Sequence, residues 1–100
     1  QLNTPGLFDH FDIKNYDFKQ NDLLIIEIEA KDRSNYPYTK QLDQVKLNVK
    51  HGKVLAFASY KTLYNSGYQN EMITINQGRA LAIIKIEDRE CFEYEILFTN

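Results

Sequence analysis

Between positions 24 and 31, Leu24, Ile26, Ile28 and Ala30 alternate with Ile25, Glu27, Glu29 and Lys31. Successive side chains of a strand point to opposite faces, so this order sends apolar groups one way and mostly charged groups the other. Helical spacing would scatter the same glutamates around the core face. The pattern returns in Val45, Leu47 and Val49 against Lys46, Asn48 and Lys50, and again in Phe92, Tyr94, Ile96 and Phe98 against Glu93 and Glu95. A chain with this recurrence has to bury one face of each of several strands.

Two runs, 54–58 and 80–86, are more uniformly apolar and predict strands covered on much of both faces. Ala80 and Ala82 leave a helix open for the second, but the β-branched Ile83, Ile84 and Ile86, with Gly78 just before them, favour a strand. A short strand is expected at 71–75 and a looser first one at 8–16, where Phe11 and Ile13 alternate with Asp12 and Lys14. Asn21-Asp22, His51-Gly52, Asn76-Gln77-Gly78 and Asp88-Arg89-Glu90 supply turn chemistry between them. The longest stretches without strand character are 32–44 and 60–70. With 100 residues, enough for a core without staples, residues 1–100 are predicted to form one domain. Its expected fold is an all-β, immunoglobulin-like Greek-key β-sandwich of about seven strands.

Charge narrows the partners. The net charge of −2 comes from 12 basic and 14 acidic residues that are interspersed, whereas nucleic-acid binding needs a clustered basic face. The nearest cluster, Lys46, Lys50 and Lys53 with His51, reads as a solvated strand face and turn. No apolar run is long enough for a membrane-spanning helix. The opening Gln1-Leu2-Asn3-Thr4-Pro5-Gly6 has neither the basic nor the hydrophobic region of a signal peptide and reads as the start of a mature chain or fragment. The single cysteine, Cys91, admits no internal disulfide and is expected to be a small core residue of the last strand.

A search for reaction chemistry finds little. Glu27, Glu29, Glu93 and Glu95 follow from strand alternation, and Asp22 and Asp88 from turns. Ser34, Ser59 and Ser66 lie in no Gly-x-Ser-x-Gly elbow, and the four glycines are too dispersed for a phosphate loop. His10 has Asp9 and Asp12 beside it, a sparse metal-like grouping that reads more simply as a polar segment. No catalytic residue, metal or cofactor is expected.

The tyrosines stand out instead. Tyr36 and Tyr38 flank Pro37 in one long segment; Tyr60, Tyr64 and Tyr68 populate the other. Such rings either close the open end of a sandwich or pack on a neighbouring domain, or else form a platform on which a sugar ring stacks. The spacing of Tyr60, Tyr64 and Tyr68 also permits one face of a short helix.

The run from Asp43 to Phe57, followed after a tyrosine-rich segment by Gln77-Gly78-Arg79-Ala80-Leu81-Ala82-Ile83-Ile84, resembles the immunoglobulin-like accessory domain near the C-terminus of many glycoside hydrolase family 2 enzymes, the β-galactosidase group. Ile26-Glu27-Ile28-Glu29-Ala30-Lys31-Asp32 matches the family's opening strand. The resemblance covers residues 22–86, and Gly78-Arg79-Ala80-Leu81-Ala82-Ile83-Ile84 is its most specific piece. The chain departs from the pattern at Ala58-Ser59-Tyr60-Lys61, where the family often has an Asn-Gly-Asp-type loop, and at Asp88-Arg89-Glu90, where it usually has glycine. The resemblance implies a non-catalytic domain that packs on or spaces a catalytic barrel, with other domains of the same polypeptide as partners. Two further readings stand beside it: a stand-alone carbohydrate-binding module using the tyrosines, and a cell-surface adhesion or spacer domain.

Overall fold

A computed structural model describes residues 6–68 and 70–99, and between 64 and 71 the backbone alone. Eight strands form: β1 (Phe8–Phe18), β2 (Leu23–Asp32), β3 (Leu42–Lys50), β4 (Gly52–Ser59), β5 (Thr62–Tyr68), β6 (Asn70–Ile75), β7 (Arg79–Ile86) and β8 (Glu93–Phe98). They make a five-stranded sheet in the order β1-β2-β7-β4-β5 and a three-stranded sheet in the order β6-β3-β8. Every pairing is antiparallel. There is no helix among the described residues, and so none long and apolar enough to cross a membrane.

The order is immunoglobulin-like. β1, β2, β7 and β4 stand as the A, B, E and D strands of that fold, with β3 and β8 in the places of C and F. β5 and β6 are a pair inserted between β4 and β7, one widening each sheet. Beside β8, where the fold places a G strand, there is no strand among the described residues.

The alternation works as expected. Leu24, Ile26, Ile28 and Ala30 are buried, and their odd-numbered neighbours in β2 are only half-buried. They face Val45, Leu47 and Val49 of β3 and Ile73 and Ile75 of β6 across the core, with Phe57 of β4 the largest side chain fully enclosed. Turn residues earn their places by backbone geometry. Asp22, His51, Lys61 and Gln77 all adopt left-handed conformations, with φ between 54° and 61°. Gly78, at φ +75°, lies so close to the Tyr38 carbonyl that a Cβ there would sit 2.7 Å from its oxygen.

Three expectations need correction. Residues 60–70 are not a loop, still less a helix: a two-residue turn at Tyr60-Lys61 folds β5 back on β4, and the chain then continues into β6. This adds the eighth strand. Cys91 is not a core residue but an exposed one, in a turn where its N–H donates to the Asp88 carbonyl at 3.2 Å, before β8 begins. The runs 54–58 and 80–86 are not covered on both faces. Their inward residues are buried, but Leu81 is exposed and Leu55, Ala56, Ala58 and Ile83 are half-buried on the other side.

Candidate functional site

The two tyrosine-bearing segments meet at one end of the sandwich. The β2–β3 connection is shaped by Asp32, buried at the end of β2, whose Oδ1 accepts the N–H groups of Ser34 and Tyr36, both at 2.9 Å. Tyr38 then donates its N–H to the Ala30 carbonyl and lies over Gly78 in the β6–β7 turn. That turn is tied to the β4–β5 turn by Ser59. Its hydroxyl accepts the Asn76 N–H at 2.7 Å and donates to the Arg79 carbonyl at 2.7 Å. Asn76 Nδ2 in turn donates to the Tyr60 carbonyl at 3.0 Å. Ser59, which no motif marks as a nucleophile, is thus the knot between two turns.

The tyrosines at this end play different parts. Tyr38 is half-buried and its ring meets Phe8 edge-on at 5.8 Å, closing the core. Tyr36 and Tyr60 are 68% and 56% exposed, and Lys61 Nζ stands 5.5 Å from the Tyr60 ring centre. Tyr64 and Tyr68 lie in β5, opposite Phe57 and Val54 of β4; their side chains are outside the described residues.

The outer face of the five-stranded sheet is a second candidate, one the sequence did not single out. Across it the register aligns Tyr16, Ile25, Ile83 and Ala56 in one row, and Lys14, Glu27, Leu81, Ala58 and Leu63 in the next. Leu63 is 77% exposed, Leu81 44% and Tyr16 46%. A shallow open depression lies among Glu27, Ala58, Ser59, Arg79, Ala80 and Leu81. Its charged rim is Arg79, held 3.6 Å from Glu27 and 3.8 Å from Glu29. The signal in the sequence is the uniform apolarity of 54–58 and 80–86, which fits a covered outer face and an uncovered one equally well.

The remaining polar groups hold the fold. The Arg89 guanidinium makes a two-pronged pair with Asp17, both contacts at 3.0 Å, and reaches Asp22 at 2.8 Å. This joins the β7–β8 connection to the β1–β2 hairpin and holds the Asp17 carboxyl below its usual range. His10 sits between Asp9 at 2.9 Å and Asn35 at 3.2 Å, with Asp12 at 3.5 Å. The Asp9 hydrogen bond leads the effects that raise its pKa. Among the described residues no group of three or more His, Cys, Asp or Glu is placed to hold a metal ion. The Asp88 charge pushes the Cys91 thiol up, away from a reactive thiolate.

No protein-family model matches the chain, and neither does any curated protein or solved structure.

Proposed function

We propose that this chain is a non-catalytic, immunoglobulin-like accessory domain of a β-galactosidase-like enzyme of glycoside hydrolase family 2, and that it packs on another domain of the same polypeptide. The observation that carries the packing role is the exposed apolar outer face of the five-stranded sheet around Tyr16, Leu63 and Leu81. An apolar area of this kind on a soluble sandwich marks a contact surface. The glycosidase assignment rests on the sequence resemblance alone, whose most specific run is Gly78-Arg79-Ala80-Leu81-Ala82-Ile83-Ile84. Gly78 makes the left-handed turn under Tyr38, Arg79 spans Glu27 and Glu29, Ala80 and Ala82 face the core, and Leu81 and Ile83 face out.

The test uses the intact polypeptide that carries this domain, expected to contain a barrel with paired catalytic glutamates. Tyr16→Ser, Leu63→Ser and Leu81→Ser combined should lower the melting temperature of the intact polypeptide by several degrees. The isolated chain should shift by no more than about 2 °C, since these side chains are exposed there. Equal shifts in both, or a polypeptide of tandem sandwiches with no barrel, would overturn the proposal.

A carbohydrate-binding role is favoured by one observation, the exposed rings of Tyr36 and Tyr60 at the same end of the sandwich. Titration with galactosides, xylan and arabinan should then give saturable binding that Tyr36→Ala and Tyr60→Ala abolish. Absence of saturable binding at millimolar ligand ends that reading.

A further inference from the structure

We infer that His10 is a proton-operated latch on the β2–β3 connection: as the imidazolium it holds Asn35 to β1, and as the neutral ring it releases the segment that presents Tyr36. This device belongs to the chain alone and is independent of both readings above.

The latch begins with a break in the strand register. Phe8 pairs with Asp32 and His10 with Lys31, so Asp9 is an extra residue, a bulge at the start of β1. Neighbours in a regular strand point to opposite faces. Here the Asp9 carboxylate and the His10 ring come together instead, with Oδ2 2.9 Å from Nδ1. The other ring nitrogen, Nε2, lies 3.2 Å from Asn35 Oδ1 and 3.5 Å from Asp12 Oδ1. Asn35 has a left-handed backbone, at φ 69°, inside a turn that Asp32 closes. The Asp32 carbonyl accepts the Asn35 N–H at 3.0 Å and its Oδ1 accepts the Tyr36 N–H at 2.9 Å.

Both ring nitrogens therefore face oxygen. The imidazolium has an N–H for each, whereas the neutral ring has one N–H and one lone pair. The Asp9 carboxylate keeps the proton on Nδ1, so the lone pair falls on Nε2, against Asn35 Oδ1 and Asp12 Oδ1. Turning the Asn35 amide would present its NH2 group to the lone pair, but the Asp12 carboxylate still faces it. The other charges around the ring are Lys31, opposite it on β2, Glu29, opposite Asp12, and Arg33 in the connection. The two aspartates prevail. The Asp9 hydrogen bond leads the effects that raise the His10 pKa above its ordinary 6.5, and the Asp12 charge acts in the same direction. Stability from the latch is therefore full below 6.5 and is lost as pH rises through the raised value.

Besides the ring contact of Phe8 with Tyr38, this bond is what fastens the connection to β1 among the described residues. Opening it frees Asn35 and the exposed Tyr36 beside it, while Tyr38 stays packed on the core.

The test is an NMR titration of the isotopically labelled chain from about pH 5 to about pH 8, the span in which histidine changes charge. The His10 ring should titrate with a midpoint above 6.5, and the Tyr36 Cα signal should follow that midpoint. The order parameter at Tyr36 should fall from a rigid value of about 0.85 toward about 0.6 as the ring loses its proton. Two variants should abolish the pH response at Tyr36: Asn35→Gly, which suits the left-handed backbone, and His10→Phe, which keeps a ring without N–H groups. Unchanged signals from β3 and β4 report that each variant is folded. A His10 midpoint at or below 6.5 would overturn the latch, as would a Tyr36 signal that ignores pH or still titrates in both variants. His51, in the β3–β4 turn at the opposite end, is the chain's other histidine; a Tyr36 response that follows its midpoint instead would also sink the idea.

Discussion

On one long side of the sandwich β5 runs along the edge of the five-stranded sheet and β6 along the edge of the three-stranded sheet, one residue apart in sequence. On the other side the edges are β1 and β8, distant in sequence and joined by side chains alone: Phe8 against Phe98, Tyr94 with Asn15, and the Arg89 pair with Asp17. Burial follows the difference. Phe57, on the strand next to β5, is 1% exposed, whereas Phe98, Ile96 and Tyr94 on β8 are half-buried. A covalent crossing brings two edges together whatever their side chains do, so the core beneath it is sealed. A side held by contacts alone stays partly open.

Four substitutions probe that contrast. Phe57→Ala, which empties a fully enclosed site, should cost about 4 kcal/mol in denaturant unfolding. Phe98→Ala should cost about half as much, because part of its ring already meets water; equal costs would mean that the β8 side is as sealed as the other. Ser59→Ala removes the hydroxyl that joins the Asn76 N–H to the Arg79 carbonyl and should cost about 1–2 kcal/mol, read as a shifted urea midpoint with an unchanged slope. The smallest effect at neutral pH belongs to Arg89→Ala, and its signature is pH-dependent. Asp17 has a depressed pKa in the folded state, so it contributes stability that is present above its ordinary value of 3.8 and lost as pH falls through the depressed one. In the variant the Asp17 carboxyl should titrate near 3.8 by NMR, and the stability lost at neutral pH relative to the parent chain should shrink to nothing as pH falls through the depressed value. An unmoved titration would show that the guanidinium does not hold this edge.

Much of the sandwich was legible because its inward strands alternate cleanly: β2, β3 and the inward residues of β8 lie where Leu24 to Ala30, Val45 to Val49 and Tyr94 to Phe98 placed them. β5 was hidden by its own composition. Thr62-Leu63-Tyr64-Asn65-Ser66-Gly67-Tyr68 has no period-two apolar face and two residues that strands disfavour, Asn65 and Gly67, and it is a strand because the turn at Tyr60-Lys61 lays it along β4. Cys91 is hard to place from sequence because Phe92 continues the alternation of Tyr94, Ile96 and Phe98, while the Asp88 carbonyl, by taking the Cys91 N–H, keeps the chain in a turn. The apolarity of β4 and β7 was seen, but hydropathy does not say whether a face is covered by this chain or left for another. Of the tyrosines, Tyr38 closes the core and Tyr36 and Tyr60 stand exposed; residue type alone did not distinguish them.

The strand order has a consequence for how the molecule is made. β7 lies at the centre of the five-stranded sheet, between β2 and β4, yet it is seventh in sequence. Until it is synthesised, the β1–β2 and β4–β5 hairpins have no strand that joins them into one sheet. Assembly therefore waits on the last quarter of the chain and on contacts of long sequence separation, which places this domain among slow folders, on the order of milliseconds to seconds. A nascent chain stalled before Arg79 holds two unjoined hairpins, and a chaperone should meet it in that form.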